Sequence, residues 1–222
     1  MFGDTKTLAT PARDSEVRMK ITLNGQYKRT KFYNVAKHLE HHVMPILDDL
    51  EERGVIRRCL RGAYCAPMLV VLKKNGKPRP VMDYRDLNFV TEPYHYPLPQ
   101  IDNIKQDLRG RIFSVLDFTD AFHQVLVDPD DIQKTAVQTP KGLYEFVRMP
   151  FGLKNAPTVL QMFIEIVLDP LRAFAIGYID NILIHSNSYE ERLEHLRLLF
   201  ERLQEYGLVL NLAKSKFFQT TI

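Results

Sequence analysis

The chain has 222 residues, 45% of them hydrophobic and 26% charged, which is the composition of a globular protein large enough to bury a core. Its 30 basic and 27 acidic residues give a net charge of +3, which excludes a uniformly basic nucleic-acid coat but allows local basic patches. No apolar run reaches the roughly 18–20 residues of a membrane span, and no signal-peptide pattern is present. We therefore expect an intracellular protein, cytoplasmic or nuclear, that does not associate with a membrane.

Cysteine and histidine usage gives little support for metal or disulfide chemistry. Cys59 and Cys65 are too few for the disulfide framework of a secreted protein and lack the partners of a zinc site. His38, His41 and His42 have helical spacing, but no further ligand candidate follows at a recognisable distance. A metal site at these histidines is the less favoured interpretation.

The N-terminal part is predicted to contain an arm followed by a helix. Residues 1–30 are polar and show no clear period, so we expect a loosely held arm. A helical stripe runs from Val35 to Arg53 and is closed by Gly54, whereas Pro45 either breaks this helix or starts a second one. The stripe consists of Leu39, Val43, Ile46, Leu47 and Leu50.

Two hairpins and one buried strand are predicted in the middle of the chain. Residues 68–84 read as a hairpin with an Asn-Gly turn at 75–76, and two prolines place its second strand at a sheet edge. The proline-rich stretch 94–100 is an extended connector, and residues 111–118 form a buried strand that ends on a carboxylate. Residues 135–149 form a second hairpin that turns at 139–142.

The C-terminal third is predicted to alternate helix, hairpin and helix. A helix begins at 155–157 and reaches about Leu168, and the hairpin 174–186 follows. The last helix starts with a capping box of Ser188 and Glu191 and is closed by Gly207. Its apolar stripe consists of Tyr189, Leu193, Leu196, Phe200 and Leu203. This order of elements predicts an α+β fold, with a sheet backed by helices on one face.

The hairpin tip Asp180-Asn181 in "GYIDNILIH" has two interpretations. Asp and Asn are common turn residues because they tolerate positive φ and hydrogen-bond their own backbone. A carboxylate presented between two apolar strands could instead belong to a metal site. These nine residues favour the turn, and three other stretches bear on the choice.

Four stretches together closely resemble the reverse transcriptase of gypsy-type long-terminal-repeat retrotransposons. They are "LKKNGKPRPVMDYRDLN" (72–88), "LDFTDAFHQV" (116–125), "RMPFGLKNAPTVLQ" (148–161) and "YIDN" (178–181). Their order and spacing match over about residues 35–218. The resemblance implies the fingers and palm of a right-hand polymerase, with an antiparallel palm sheet backed by helices.

The resemblance also implies a division of the chain. After the arm at 1–30, the fingers would comprise 31–92 and 125–155, and the palm 93–124 and 156–222. Thumb, connection and ribonuclease H regions are absent from this division, so we expect a module of a larger polyprotein, a fragment or a decayed copy. The implied partners are an RNA or DNA template with its primer and a deoxynucleoside triphosphate.

The catalytic roles that the resemblance implies fall on few residues. Asp117 and Asp180 match the two metal-binding aspartates, and the backbone carbonyl of Phe118 would complete the ligand set for two Mg²⁺ ions, with Mn²⁺ as a possible substitute. A capping role for Asp117 is disfavoured because it follows a buried run. Lys214 matches a lysine near the leaving pyrophosphate, although a solvated lysine at a helix end fits it equally well.

The incoming nucleotide is assigned by resemblance to seven further residues. Phe122 would lie under the deoxyribose and reject a 2′-hydroxyl, although a core aromatic remains the alternative. The triphosphate would be gripped by Lys74 and Arg79, and Gln161 would face the same cleft. Asp120 and Ala121 would contribute backbone groups to the triphosphate and sugar pocket. Gly152 would let the backbone approach the template base and the nucleotide closely.

One position departs from the family pattern. The family carries two adjacent aspartates at the hairpin tip, whereas this chain has Asn181 as the second residue. The missing charge predicts impaired nucleotidyl transfer. The alternatives are therefore an RNA-directed DNA polymerase module and a decayed remnant that binds nucleic acid or protein without catalysis. An RNA-templated RNA replicase is disfavoured because Phe122 would exclude ribonucleotides.

Overall fold

A computed structural model describes most of the chain and divides it into two units. The described residues are 17–28, 33, 35–60, 62, 64–72, 76, 78–97 and 110–221. Within these ranges, the five-stranded unit comprises Arg18–Tyr94 and Val125–Ala156, and the four-stranded unit comprises His95–Gln124 and Pro157–Ile222 together with Val17. Among the helices of these described ranges, none is both long and apolar enough to cross a membrane.

The five-stranded unit contains a mixed sheet with the order β1-β6-β5-β2-β3, in which only the β2–β5 pair is parallel. Its strands are β1 (Ile56–Arg58), β2 (Ala66–Leu72), β3 (Pro78–Met82), β5 (Val137–Thr139) and β6 (Gly142–Phe146). Its helices are α1 (Lys37–Glu52) and α2 (Arg85–Val90). Both predicted hairpins are present, since β2 pairs with β3 and β5 pairs with β6 in antiparallel register.

Pro78 lies at a sheet edge, where proline is tolerated, whereas Pro45 lies inside a helix, where it is usually disfavoured. β3 begins at Pro78 and lies at the sheet edge, where a residue without an N–H removes no ladder bond on its outer side. Pro45 lies inside α1 and neither breaks it nor starts a second helix. The buried residues Val43, Leu47 and Leu50 of the predicted stripe hold α1 in place on both sides of the proline.

Part of the predicted N-terminal arm is packed rather than loosely held. The side chains of Met19 and Ile21 are each only 1% exposed. The Ile21 N–H donates to Asp131 Oδ2 at 2.7 Å, and Met19 forms a parallel bridge with Val127. Two apolar residues at alternate positions are enough to anchor an extended segment, and such a short pattern gives no clear period.

The four-stranded unit contains an antiparallel sheet with the order β7-β8-β4-β9. Its strands are β4 (Ile112–Phe118), β7 (Ala175–Tyr178), β8 (Asn181–Ser186) and β9 (Leu210–Gln219). Helix α3 (Ala156–Leu168) begins at the boundary of the unit, and α4 (Tyr189–Glu205) follows β8. The predicted buried strand, hairpin and two helices are all present, and the α+β class is confirmed.

The ends of α4 form as predicted, but its buried face differs by one position. The N–H of Glu191 donates to Ser188 Oγ at 3.2 Å, as in a capping box. However, Tyr189 and Leu193 are 58% and 61% exposed, whereas Arg192 is fully buried. The predicted stripe is therefore wrong at its N-terminal end.

Strand carbonyls explain why an arginine takes the buried position. Arg192 Nη2 donates to the carbonyl oxygens of Ile112 and Ile184, the second at 3.0 Å. Burial lowers the pKa of Arg192 to about 10, so the guanidinium stays charged at neutral pH. Charged donors to buried carbonyls offset part of the cost of burying the group.

Gly177 lets α3 pack closely against β7. A Cβ at this position would lie 2.4 Å from Ile164 Cγ2 and 3.0 Å from Leu168 Cδ1. Ile164 is β-branched and 1% exposed, so it has little freedom to move aside. The sheet and the helix can approach this closely only because position 177 has no side chain.

We expect Gly177→Ala to lower the free energy of unfolding by about 1–3 kcal/mol, because the added methyl overpacks the α3–β7 contact. Urea denaturation monitored by circular dichroism measures the loss. Gly25→Ala is the matched control, since its Cβ would meet Val90 at an ordinary 3.6 Å. Equal losses in the two variants would contradict this account of the helix–sheet packing.

Candidate active site

The end of β4 and the turn between β7 and β8 bring two predicted site residues together. Asp117 on β4 lies directly opposite Asn181, the first residue of β8. The next N–H along β4, that of Phe118, donates to the carbonyl oxygen of Asp180 at 3.2 Å. Opposed residues of antiparallel strands have Cα atoms about 5 Å apart. Asp117 and Asp180 are therefore neighbours, although 63 positions separate them in the chain.

Asp117 is flanked by an asparagine on each neighbouring strand. Asn181 on β8 and Asn211 on β9 are both its register partners, and Tyr178 on β7 is opposite Asn181. Opposed residues of adjacent strands project to the same face of a sheet. A polar row with one carboxylate at its centre therefore crosses the four-stranded sheet.

The carboxylate of Asp117 is only partly satisfied. Its Oδ1 is buried and accepts no hydrogen bond from any residue that the structure describes. The nearest cation is Lys214, whose Nζ lies 3.5 Å from Oδ1, and the two side chains are 67% and 19% exposed. A buried carboxylate oxygen without a hydrogen-bond donor is costly, and an exposed lysine offsets little of that cost.

A bulge in β9 carries Lys214. Asp117 pairs with Asn211 and Val115 pairs with Lys216, so four residues of β9 lie opposite one residue of β4. Ser215 Oγ closes the gap, because it accepts from the Asp117 N–H at 3.1 Å and donates to the Asn211 carbonyl at 2.8 Å. Lys214 thus lies on a strand, and its interpretation as a helix-end lysine is wrong.

The turn that carries Asp180 has a strained backbone and an internal hydrogen bond. Ile179, a β-branched residue, has φ 52°, in the left-handed region that disfavours such side chains. Asn181 Nδ2 donates to Asp180 Oδ1 at 2.9 Å, and the Asp180 side chain is exposed. The amide of Asn181 therefore stabilises the negative charge of Asp180 with a hydrogen bond.

Gln161 holds this turn from beneath. Its Oε1 accepts from the Ile179 N–H at 2.7 Å, and its Nε2 donates to the Gly177 carbonyl at 3.1 Å and to Glu165 Oε1 at 2.7 Å. The hydrogen bond between Glu165 and Tyr96 raises the pKa of Tyr96 to about 12. Gln161 supports the strained turn through a fully satisfied amide.

The position of Gln161 corrects one prediction. Its side chain is 0% exposed, so it does not face a cleft and cannot contact a nucleotide in this conformation. The residue instead determines where the Asp180 turn lies.

A second turn follows β4 and contains three predicted nucleotide-binding residues. Asp120 is exposed and has φ 44°, whereas Ala121 is buried and Phe122 is partly exposed. Ala121–Gln124 forms a single 3-10 turn, and the His123 N–H donates to the Asp120 carbonyl at 2.8 Å. The turn directly follows Asp117 and Phe118, so the chain itself keeps Phe122 near them.

The remaining nucleotide-binding candidates belong to the five-stranded unit. The guanidinium of Arg79 lies over the ring of Phe151, 5.5 Å from its centroid, and Gly152 has φ 91°. Asn88 fixes this loop by donating to the Gly152 carbonyl at 2.7 Å and accepting from the Lys154 N–H at 2.8 Å. Lys74, the other predicted phosphate ligand, lies outside the described residues.

Metal-ligand clusters of the usual kind are not found in the described ranges. No group of three or more His, Cys, Asp and Glu side chains is arranged there to hold an ion. The ring centroids of His41 and His42 on α1 lie 3.8 Å apart, with the ring planes tilted by 40°. Two carboxylates and a backbone carbonyl, as expected at Asp117, Phe118 and Asp180, would need water and substrate oxygens to complete a coordination shell.

Sequence reasoning missed the residues that support this site. Asn211, Ser215 and Gln124 make their contacts through register and backbone hydrogen bonds rather than through any apolar period. The only available signal was the run "NLAKSKF", which breaks the apolar alternation of a strand.

Comparison with known proteins relates this chain to one polymerase family and to polyproteins of transposons. A family model described as reverse transcriptase (RNA-dependent DNA polymerase) matches residues 71–222. The retrovirus-related Pol polyprotein from transposon opus of Drosophila melanogaster is 36% identical over 94% of this chain and 22% of its own length. The transposon Tf2-7 polyprotein of Schizosaccharomyces pombe is 30% identical over 99% of this chain and 16% of its own length. The chain thus spans about a fifth of these relatives.

Solved structures share the fold. The foamy viral protease–reverse transcriptase in complex with double-stranded DNA has a TM-score of 0.87 and 21% identity, over 98% of this chain and 38% of that one. The same type of enzyme in complex with an RNA/DNA hybrid has a TM-score of 0.86 and 21% identity, over 96% and 28%. The predicted fold class, fingers and palm with an antiparallel palm sheet, is confirmed.

Proposed function

Since this chain belongs to the reverse transcriptase family, we propose that it is the fingers–palm module of an RNA-directed DNA polymerase from a gypsy-type long-terminal-repeat retrotransposon. The module transfers deoxynucleotides from their triphosphates to a primer 3′-hydroxyl on an RNA or DNA template. It acts as part of a larger polyprotein, in keeping with the lengths of its relatives.

One observation carries this proposal: Asp117 and the Asp180-Asn181 turn lie side by side on adjacent strands. The alternative interpretation, in which Asp180 only forms a turn, gives no reason for a second carboxylate beside it with a buried oxygen that accepts no hydrogen bond from the described residues. Two carboxylates beside each other repel unless cations lie between them. The pair is therefore the best-supported place for catalysis.

The donor chemistry fits magnesium. Asp117 has an oxygen that accepts no hydrogen bond from the residues that the structure describes, and Asp180 is exposed, so both carboxylates remain available as hard ligands. When bound, two Mg²⁺ ions supply activation of the primer hydroxyl and stabilisation of the charge on the leaving group. We assign Asp117, Asp180 and the Phe118 carbonyl as the residues that hold them, with Mn²⁺ as a substitute.

Other residues of the chain bind and orient the substrates in this proposal. Lys214 has an exposed side chain whose ammonium group lies beside Asp117, and this group places a proton near the leaving pyrophosphate. Arg79 and Lys74 bind the triphosphate, and Gly152 allows close approach of the nucleotide. Gln161 positions the Asp180 turn instead of touching the nucleotide.

We assign the five-stranded unit to the fingers and the four-stranded unit to the palm. The divisions at Tyr94/His95, Gln124/Val125 and Ala156/Pro157 support this assignment, because they lie within two residues of the divisions that the resemblance implies. All proposed metal ligands then belong to the palm.

Primer extension tests the proposed function directly. The chain is incubated with a labelled primer on RNA and on DNA templates, with deoxynucleoside triphosphates and either Mg²⁺ or Mn²⁺. A parallel assay uses the chain fused to the thumb of a related retrotransposon polymerase. We expect slow, metal-dependent extension that the thumb increases. Tight template binding without extension under every condition would contradict the polymerase assignment.

A second candidate function is favoured by Asn181 alone. A catalytically decayed remnant would retain the fold and bind nucleic acid or protein, because the asparagine keeps the turn but removes a charge. Gel-shift titration with primer–template detects such binding independently of extension. If Asn181→Asp fails to restore extension while binding persists, the remnant becomes the better description.

Phe122→Ala is expected to relax sugar selection by about ten- to hundredfold, because removing a ring that excludes a 2′-hydroxyl makes room for it. The measurement is the ratio of kcat/KM for a deoxynucleoside triphosphate to that for its ribonucleotide. Phe113→Ala is the control, since Phe113 lies on β4 opposite His185, at the far end of the strand. Unchanged rejection of ribonucleotides by an active variant would remove Phe122 from this role.

A further inference from the structure

The turn Thr119–Gln124, which presents Phe122, is short and irregular. Asp120 has φ 44°, in the left-handed region that aspartate tolerates better than most residues with a Cβ. A single 3-10 turn, Ala121–Gln124, follows it. Short 3-10 segments have poor hydrogen-bond geometry, so a turn of this kind depends on surrounding contacts to hold it in place. The source of those contacts is therefore informative.

The buried side-chain amide of Gln124 makes three of the contacts that hold this turn. Its Nε2 donates to the Thr119 carbonyl at 2.5 Å and to the Val209 carbonyl at 2.9 Å, and its Oε1 accepts from the Val209 N–H at 2.8 Å. The residue is 8% exposed. The Nε2 group thus donates two hydrogen bonds. The one to Thr119 joins the last residue of the turn Thr119–Gln124 to its first residue.

The same amide connects the turn to a distant strand. Val209 directly precedes β9, and its carbonyl also accepts from the Thr119 N–H at 3.0 Å. The following residues, Leu210 and Asn211, pair with Phe118 and Asp117. Gln124 therefore holds the turn next to the residues of β9 that pair with Asp117 and Phe118.

We propose that Gln124 is a positioning residue for sugar selection, which holds the Phe122 turn against the start of β9 through its three side-chain hydrogen bonds. The inference rests on the proposed function for the role of Phe122, but the contacts themselves do not. Because Gln124 is buried, it acts through Phe122 and does not touch the nucleotide. Loss of the amide leaves the Thr119 and Val209 carbonyls without this donor and frees the turn.

Two substitutions separate the hydrogen bonds from the shape of the side chain. Gln124→Met keeps the length and removes all three hydrogen bonds. Gln124→Glu keeps the shape but places an oxygen where the amide nitrogen donated to two carbonyls. The matched control is Ser186→Ala, which removes a part-buried hydrogen bond of 2.7 Å between the buried Ser186 Oγ and His195 Nδ1, at the opposite end of β8 from Asn181.

The first measurement is hydrogen exchange followed by mass spectrometry on the chain alone. We expect amides of residues 119–124 and 209–210 to exchange at least about tenfold faster in both Gln124 variants, since each lost buried hydrogen bond favours local opening. Exchange in α3 should be unchanged. Ser186→Ala should leave residues 119–124 as protected as in the wild type. Equal protection of the turn in all four proteins would overturn the proposal.

The second measurement is the ratio of the dissociation constants for ATP and dATP, determined by calorimetry with Mn²⁺. We expect the preference for dATP to fall at least about fivefold in both Gln124 variants and to persist in Ser186→Ala. A preference that persists although the turn exchanges faster would reduce Gln124 to a merely structural residue and overturn the proposal. If the wild type binds neither nucleotide, the proposed function fails, and the exchange data still decide whether Gln124 holds the turn.

Discussion

Asp117→Asn is expected to slow primer extension at least about a thousandfold. Asp117 is the carboxylate at the centre of the polar row, with one buried oxygen that accepts no hydrogen bond from the described residues. Removing one charge about 4 Å from a cation, at an effective dielectric near 20, forfeits about 4 kcal/mol. If that interaction stabilises the transition state, the rate falls by about three powers of ten.

The fold should survive this change. Asparagine has the shape of aspartate, and the nearest cation, Lys214, is an exposed side chain, so we expect the unfolding free energy to change by less than about 1 kcal/mol. The assay is single-nucleotide extension in the wild-type and Asn181→Asp backgrounds. Asp169→Asn is the control, because it removes an exposed carboxylate paired with Arg172 in the same unit. Normal extension by Asp117→Asn would end the polymerase interpretation.

Asn181→Asp is expected to increase primer extension, by up to about a thousandfold if the missing charge is not compensated elsewhere. The substitution adds a carboxylate directly opposite Asp117 and removes the amide that now donates to Asp180 Oδ1 at 2.9 Å. Both changes make the site more negative and improve its affinity for two divalent cations. Wild type and variant are compared in Mg²⁺ and in Mn²⁺. Equal, vigorous extension by both would show that the charge argument is wrong.

The same variant should acquire metal-dependent stability. Like charges placed opposite each other on neighbouring strands destabilise by up to about 1 kcal/mol, so melting in EDTA should occur at a lower temperature than for the wild type. Added Mg²⁺ should reverse the loss, because a ligand that binds only the folded state stabilises it. Asn211→Asp is the matched control, since it adds the same charge opposite Asp117 from β9. We expect it to share the loss in EDTA but not the gain in extension.

Local patterns in the sequence were sufficient for most elements of the fold. Both β-hairpins of the five-stranded unit, the strand that carries Asp117 and the cap at Ser188 follow from turn residues, apolar runs and capping chemistry. Each of these signals spans only a few residues. They were wrong or silent where the deciding partner is distant, as for Met19, which is buried by contacts more than 100 positions away.

Helix α4 shows why a correct helix can have an incorrectly assigned face. Apolar residues occur at Leu193, Leu196, Leu199 and Phe200, so two neighbouring faces are both hydrophobic enough to be buried. The structure selects the face with Arg192, because the Ile112 and Ile184 carbonyls accept from its guanidinium. No periodicity contains that information, since the carbonyls belong to strands β4 and β8.

The site divides in the same way. Its residue types and their order along the chain, including Asp117, Phe122 and Asp180, were available from the sequence, because family motifs are short and contiguous. The supporting role of Gln161 and the location of Lys214 were not, since one depends on burial beneath the Asp180 turn and the other on a bulge in β9. Sequence thus determined which chemical groups are present and which local elements carry them. Strand register and helix packing, which join residues far apart in the chain, alone decided that Asp117 and Asp180 are neighbours and which side chains hold them there.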